Sequence, residues 1–168
     1  MPIQPILRYP HPLLKKVCHA VDVIDDEIRG LVRDLLDTMR GGPGSVGVAA
    51  PQIGVTLRVC VVDVSGHRLG KENHHDLLVL VNPEIVAREG ATVMREGCMS
   101  VPDYTGDVER ATTITLRYRD ETGAPREIVA SGFEAVAIQH EMDHLDGILF
   151  LDRIASLKTG LFRRKNYQ

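Results

Sequence analysis

Apolar side chains recur at helical spacing early in the chain: Ile28, Leu31, Val32, Leu35, Leu36 and Met39 fall three or four residues apart. The spacing predicts a helix over Asp25 to Arg40, capped by Asp25 or Asp26 and stopped by Gly41-Gly42-Pro43. A glycine-rich segment, Gly44 to Gly54, follows. Leu57 to Val64, Leu77 to Val86 and Thr112 to Tyr118 then read as strands, with the polar stretch Gly66 to Asp76 as a loop. Asp120-Glu121-Thr122-Gly123 is a turn signal leading into Glu127 to Ala130, which predicts an antiparallel pair. A second helix is expected from Ser131, where Ser131 and Glu134 match a capping box. Phe133, Val136 and Ala137 form its apolar face and Gly147 marks its end. Helix, strands, helix is an order that predicts an α+β fold rather than a parallel doubly wound sheet.

Composition narrows the function classes. The 168 residues, 43% of them hydrophobic, suffice for one domain spanning 1–168 with a real core. A net charge of -3 gives no electrostatic case for nucleic acid as a direct partner. Only Phe162-Arg163-Arg164-Lys165 is locally basic, and it reads as a solvated terminus. No apolar run approaches the ~20 residues that span a membrane, and Met1 to Arg8 lacks a signal-peptide pattern. Three widely spaced cysteines, Cys18, Cys60 and Cys98, do not form a disulfide framework, so a reducing cytoplasm is the expected location.

The chemistry-bearing pattern is His140-Glu141-Met142-Asp143-His144, an HExxH sequence inside the second predicted helix. Residues four apart share a helix face, so both imidazoles can reach one metal ion. Glu141 is rotated by about 100° from His140 and can reach a metal-associated water without being a ligand. A catalytic site usually needs a third protein donor. Downstream of His144 there is no histidine or glutamate, and Asp146 and Asp152 are weak candidates. Upstream, Cys98 stands beside Gly97, and a thiolate is a strong ligand for zinc or ferrous iron; a buried unreactive cysteine is the competing reading. Cys18 and Cys60 read as buried and unreactive, and His74-His75 as a solvated pair in the polar loop.

Three segments together resemble the peptide deformylase family. Ser45-Val46-Gly47-Val48-Ala49-Ala50-Pro51-Gln52 is similar to its GφGφAAxQ motif, Glu96 to Ser100 to its EGCxS motif, and Gln139 to His144 to its QHExDH motif. Their order and separation also match, from Ile6 to about Ile154. Ser45 replaces the first glycine and Met99 the usual leucine. The resemblance implies small antiparallel sheets packed around a central helix bearing HExxH. It implies removal of the formyl group from N-formylmethionyl peptides, with one ferrous ion per chain that zinc or nickel can replace. By the same likeness Cys98, His140 and His144 are the ligands and Glu141 the proton carrier. The Gln52 amide and the Met99 N–H hold the oxyanion, Gly47 and Gly97 offer backbone to the peptide, and Arg110 pairs with Glu96. Some relatives dock on the ribosome through longer basic C-terminal helices, so a transient ribosome contact is also implied; the tail after Ile154 is short here.

An extended peptide is expected to pair with backbone near Val46, Gly47 and Gly97. A methionine-sized pocket is expected from Val46, Met94, Phe133, Val136 and Ala137, a group that core packing explains equally well. Two other function classes share parts of the pattern: a zinc metallopeptidase, which lacks its downstream ligand here, and a structural metal module, which has no use for Glu141 or Gln52.

Overall fold

Asp25 accepts a hydrogen bond from the Ile28 N–H (3.1 Å) and so starts α1 (Asp26–Gly41) in the computed structural model, which describes residues 5–42 and 44–164. Ile28, Leu31, Val32, Leu35 and Met39 are buried along one side of it, as their spacing predicts; Pro43 lies outside the described residues. The strands are β1 (Gly47–Ala49), β2 (Val59–Val62), β3 (Leu78–Glu89), β4 (Thr92–Cys98), β5 (Val101–Arg110), β6 (Thr113–Arg119), β7 (Pro125–Ser131) and β8 (Leu161–Arg163). Between β7 and β8 come α2 (Gly132–Leu145) and two single-turn helices, α3 (Phe150–Arg153) and α4 (Leu157–Gly160).

Two antiparallel sheets result, one ordered β1-β2-β3-β6-β7 and the other β4-β5-β8. The first is covered on both faces. Val59 and Val61 of β2 pack with Val48, Val79, Val81 and the apolar side of α1, whereas Cys60 and Val62 pack with Ala49, Leu78, Leu80 and α2. Double coverage is why β2 reads as an unbroken apolar run. Beneath the second sheet, Cys98, Val101 and Val108 pack against Leu14, Leu149, Phe150 and Ile154.

Helix α2 is therefore buried on every side from Glu134 to Leu145, polar residues included. Its start differs from the expected capping box. The Ser131 side chain makes no cap; its Oγ accepts from Asn73 Nδ2 (2.9 Å). Glu134 bonds instead to the backbone N–H and ring Nδ1 of His75 (2.6 and 2.5 Å), so His75 is tied to the helix rather than solvated. The loop thus supplies the donors that a local cap would have used. The helix end is as expected: Gly147 has φ +74°, and a methyl on it would come within 2.5 Å of the Lys15 carbonyl oxygen.

The β4–β5 hairpin was not legible as strands because its alternation is inverted, with Val93 exposed and Glu96 and Arg110 buried. The basic tail also differs from expectation. Leu161–Arg163 pairs with β5, the Arg164 N–H donates to the Asp103 carbonyl (2.8 Å), and Phe162 carries the Arg95 guanidinium on its ring; Lys165 lies outside the described residues.

The β6–β7 turn yields a test. Asp120 accepts from the Thr122 hydroxyl (2.6 Å), the Thr122 and Ala124 N–H groups (2.9 and 3.1 Å) and Arg126 Nε (2.8 Å). The Thr122 hydroxyl bond and the other donors pull its pKa down to about 2. A carboxylate whose folded pKa lies below the unfolded value stabilises the fold above about pH 4. It loses that contribution as pH falls toward the folded value. Asp120→Ala should cost about 1 kcal/mol in urea unfolding at neutral pH, and the gap to the parent protein should shrink as pH drops toward the folded pKa. An undiminished gap would show that the hydrogen-bonded charge is not its cause.

Candidate active site

Because α2 is buried on all sides, His140 and His144 leave it one turn apart in the protein interior. Cys98 ends β4 at a register irregularity just after Gly97 and meets them from the opposite side. One donor atom from each of Cys98, His140 and His144 lies within 4.8 Å of the others, and all three residues are buried. Cys98 Sγ stands 3.4 Å from His144 Nε2. Glu96 Oε1 takes the Nδ1 side of His140 at 2.8 Å, which leaves Nε2 toward the cluster. Asp146 and Asp152 are elsewhere: Asp146 pairs with Arg58 (3.0 Å), and Asp152 with Lys15 and the Leu149 N–H.

Burial would raise the thiol pKa of Cys98, but the charge of His144 and hydrogen bonds from His140 and His144 outweigh it and hold the thiol well below its ordinary value. A thiolate is the ligand form. Glu141 Oε1 and His144 Nδ1 are buried without a hydrogen-bond partner among the described residues. Burial holds the Glu141 carboxyl up, against the pull of His140 and His144. One thiolate and two imidazoles, with a carboxylate beside the set but outside it, fit a zinc or ferrous ion.

A second layer fixes this set. Arg110 donates to both oxygens of Glu96 (2.6 and 2.9 Å) and to Asp143 Oδ2 (2.8 Å). Arg153 donates to both oxygens of Asp143 (2.7 and 2.8 Å). Burial pushes both carboxyls up, but bonds from His140 and Arg110 to Glu96, and from Arg153 and Arg110 to Asp143, hold them down. Gln139 spans to the Ala111 backbone, accepting from its N–H (3.1 Å) and donating to its carbonyl (2.9 Å).

The cleft above the cluster has a volume of about 680 Å³. Gln52 is fixed at its edge, with Oε1 accepting from the Ala49 N–H (3.0 Å) and Nε2 reaching Ser100 Oγ (3.0 Å) and Cys98 Sγ (3.4 Å). Gly47 lies so close to α2 that a methyl there would come within 2.9 Å of Glu141 Cγ and Oε2. Val46, Phe133, Val136 and Ala137 line the apolar wall, with His67 stacked on Phe133 at 4.5 Å between ring centroids. Glu96, Gly97 and Met99 line the opposite side.

Met94 is the exception among the expected residues. It pairs with Val108, is half-buried, and is not among the described residues lining the cleft. Four residue steps of extended strand, about 13 Å, carry the chain from it to Cys98. The sequence reading also missed Ser100, Asp143 and Arg153, and the cleft residues Arg8, His67, Arg68, Arg95 and Arg164. An aspartate on the helix that carries the histidines was a usable signal for Asp143, and the EGCxS motif for Ser100; nothing local marked the others.

A family model described as polypeptide deformylase matches residues 3–160. The chain is similar to a peptide deformylase of Alkalilimnicola ehrlichii, 48% identical over 98% of this chain and 89% of the relative. Among solved structures it is similar to a peptide deformylase from Legionella pneumophila, with a TM-score of 0.84 and 40% identity over 94% of this chain and 89% of that one. It is also similar to a Met-Ala-Ser-bound peptide deformylase from Acinetobacter baumannii, with a TM-score of 0.83 and 34% identity over 91% and 99% of the two chains.

The cluster makes a direct prediction for the three cysteines. Cys98→Ala should lose tightly held metal, whereas Cys18→Ala and Cys60→Ala should keep it, because both are buried outside the cluster, where burial raises the Cys18 thiol to about 11 and the Cys60 thiol well above its ordinary value. Metal content after gel filtration decides this; full retention by Cys98→Ala would remove the thiolate from the ligand set.

Proposed function

The chain belongs to the polypeptide deformylase family, whose members remove the N-terminal formyl group in a metal-dependent reaction, and we propose that Cys98, His140 and His144 hold the metal while Glu141 moves the proton. The observation that carries this assignment is the convergence of three buried donors within 4.8 Å beside a buried carboxylate oxygen, Glu141 Oε1, that has no other partner among the described residues. The metal, ferrous iron with zinc or nickel as substitutes, would supply positive charge to polarise the formyl carbonyl and acidify water.

The other steps belong to the chain. Glu141 accepts a proton from water as its oxygen bonds to the formyl carbon. Its raised pKa, set by burial, suits it to hold that proton briefly. The Gln52 Nε2–H and the Met99 backbone N–H donate to the oxyanion, and such a donor is typically worth about 3 kcal/mol. The Ala49 and Ser100 bonds already orient the Gln52 amide, and Nε2 turns its second N–H from Cys98 Sγ to the oxyanion. Glu141 then delivers the proton to the nitrogen as the carbon–nitrogen bond breaks, giving formate and a free N-terminus.

The peptide is positioned by two strand edges. β1 ends the five-stranded sheet and β4 ends the three-stranded one, and Gly47 and Gly97 lie in the cleft between them. An extended substrate adds to such edges by backbone hydrogen bonds. The first side chain enters the wall of Val46, Phe133, Val136 and Ala137. The Acinetobacter relative binds the peptide Met-Ala-Ser, which supports a peptide substrate here. The reading includes action in the cytoplasm on formylmethionyl chains, in transient contact with the ribosome from which they emerge.

Glu141→Ala should keep its metal and lose roughly 10²-fold or more in turnover of a formyl-Met peptide. Formate release and metal analysis on one preparation test it; joint loss of metal and turnover would make Glu141 a ligand. A second outcome follows from the thiolate next to the metal. The iron-loaded enzyme should lose activity in air faster than the zinc-loaded enzyme, since both ferrous iron and a thiolate are oxidisable. Equal decay of the two forms would count against iron held by Cys98.

A further inference from the structure

Arginines from four separate segments stand in the walls of the cleft: Arg8 after the N-terminal stretch, Arg68 in the loop between β2 and β3, Arg95 on β4 and Arg164 after β8. The carboxylates among the described lining residues are Glu96 and Glu141, both buried on the floor. Glu96 is already bonded to Arg110 and His140. The rim is thus cationic in a chain of net charge -3. Arg8 and Arg68 are exposed and have no ion-pair partner among the described residues. Arg95 stacks on Phe162 (3.7 Å) and forms an exposed ion pair with Asp107 through Nε at 3.7 Å, longer than a hydrogen bond. The Arg164 guanidinium lies against Gly97, where a methyl would overlap Nη2, on the outer edge of β4.

We infer that the cleft selects formylated peptides carrying an acidic side chain in the residues after the first; this specificity rests on the deformylase reading above. A peptide strand added to β4 at Gly97 passes between these guanidinium groups. Guanidinium binds carboxylate through paired hydrogen bonds. A cleft lined by one sign of charge concentrates the opposite sign and speeds encounter. A lysine-bearing peptide meets like charge at the same rim.

The test compares formate release from C-terminally amidated formyl-Met-Ala-Ser with versions carrying Glu, Gln or Lys at the second or third position. The Glu peptides should exceed their Gln counterparts about tenfold in kcat/KM, mainly through KM, with Lys lowest. The advantage should shrink when ionic strength is raised to about 0.5 M. Arg8→Gln, Arg95→Gln and Arg164→Gln should each lower the Glu/Gln ratio. Arg117→Gln, at an exposed position of β6 where Arg117 pairs with Glu127, should leave that ratio intact. Arg8 is exposed, so its variant keeps the test readable if Arg164→Gln fails to fold. Neutral-peptide turnover with a Glu/Gln ratio of one or less, or a preference for Lys, overturns the inference and leaves the activity standing. Formate from none of the peptides overturns the deformylase reading and the inference with it.

Discussion

The site depends on one buried guanidinium. Arg110 ends β5, yet its side chain joins Glu96 of β4 to Asp143 of α2, and through Glu96 it fixes the ring of His140. Arg110 bonds to both carboxylates and helps hold them charged against the burial that pushes them toward the neutral form. Arg153 supplies a second cation to Asp143, so two carboxylates meet two guanidinium groups and the cluster is balanced. Removing one partner of such a buried pair typically costs about 3–5 kcal/mol. Here it would also free the imidazole whose Nδ1 now faces Glu96. Structural coupling of the second sheet to α2 and chemical orientation of the histidine are thus the same set of bonds.

Close backbone approach is the second constraint. The five-stranded sheet ends at β1 and the three-stranded sheet ends at β4, and the cleft lies where the two edges face each other across α2. At Gly47 a side chain would collide with Glu141; at Gly97 it would collide with Arg164. Glycine at these two positions lets the Glu141 carboxylate and the rim arginine come up to the strand edges. The Gln52 amide is fixed in the same compact way, between Ala49 and Ser100, and brings the first sheet's end to the Cys98 turn. The loop between β2 and β3 closes one side by trading a helix cap for contacts with His75 and Asn73, which sets His67 on Phe133.

The sequence alone determined the periodic elements and the chemistry. Helical spacing located α1 and its Asp25 cap, β-rich runs located β2, β3 and β6, and HExxH inside a helix singled out two imidazoles that the fold brings together with Cys98, beside the Glu141 carboxylate. The motif resemblance supplied the family and named Cys98, Gln52 and Arg110, positions that spacing alone did not connect. Only the tertiary structure decided what depends on distance between remote segments. It put Cys98 rather than Asp146 or Asp152 beside the histidines, moved Met94 off the cleft, and joined Glu134 to His75 instead of to Ser131. It also found the β4–β5 hairpin and the four arginines of the rim. The physical reason is that local patterning records which face of an element is buried against apolar neighbours. A strand that buries Glu96 and Arg110 and exposes Val93 inverts that pattern, because its burial is made favourable by partners across the fold.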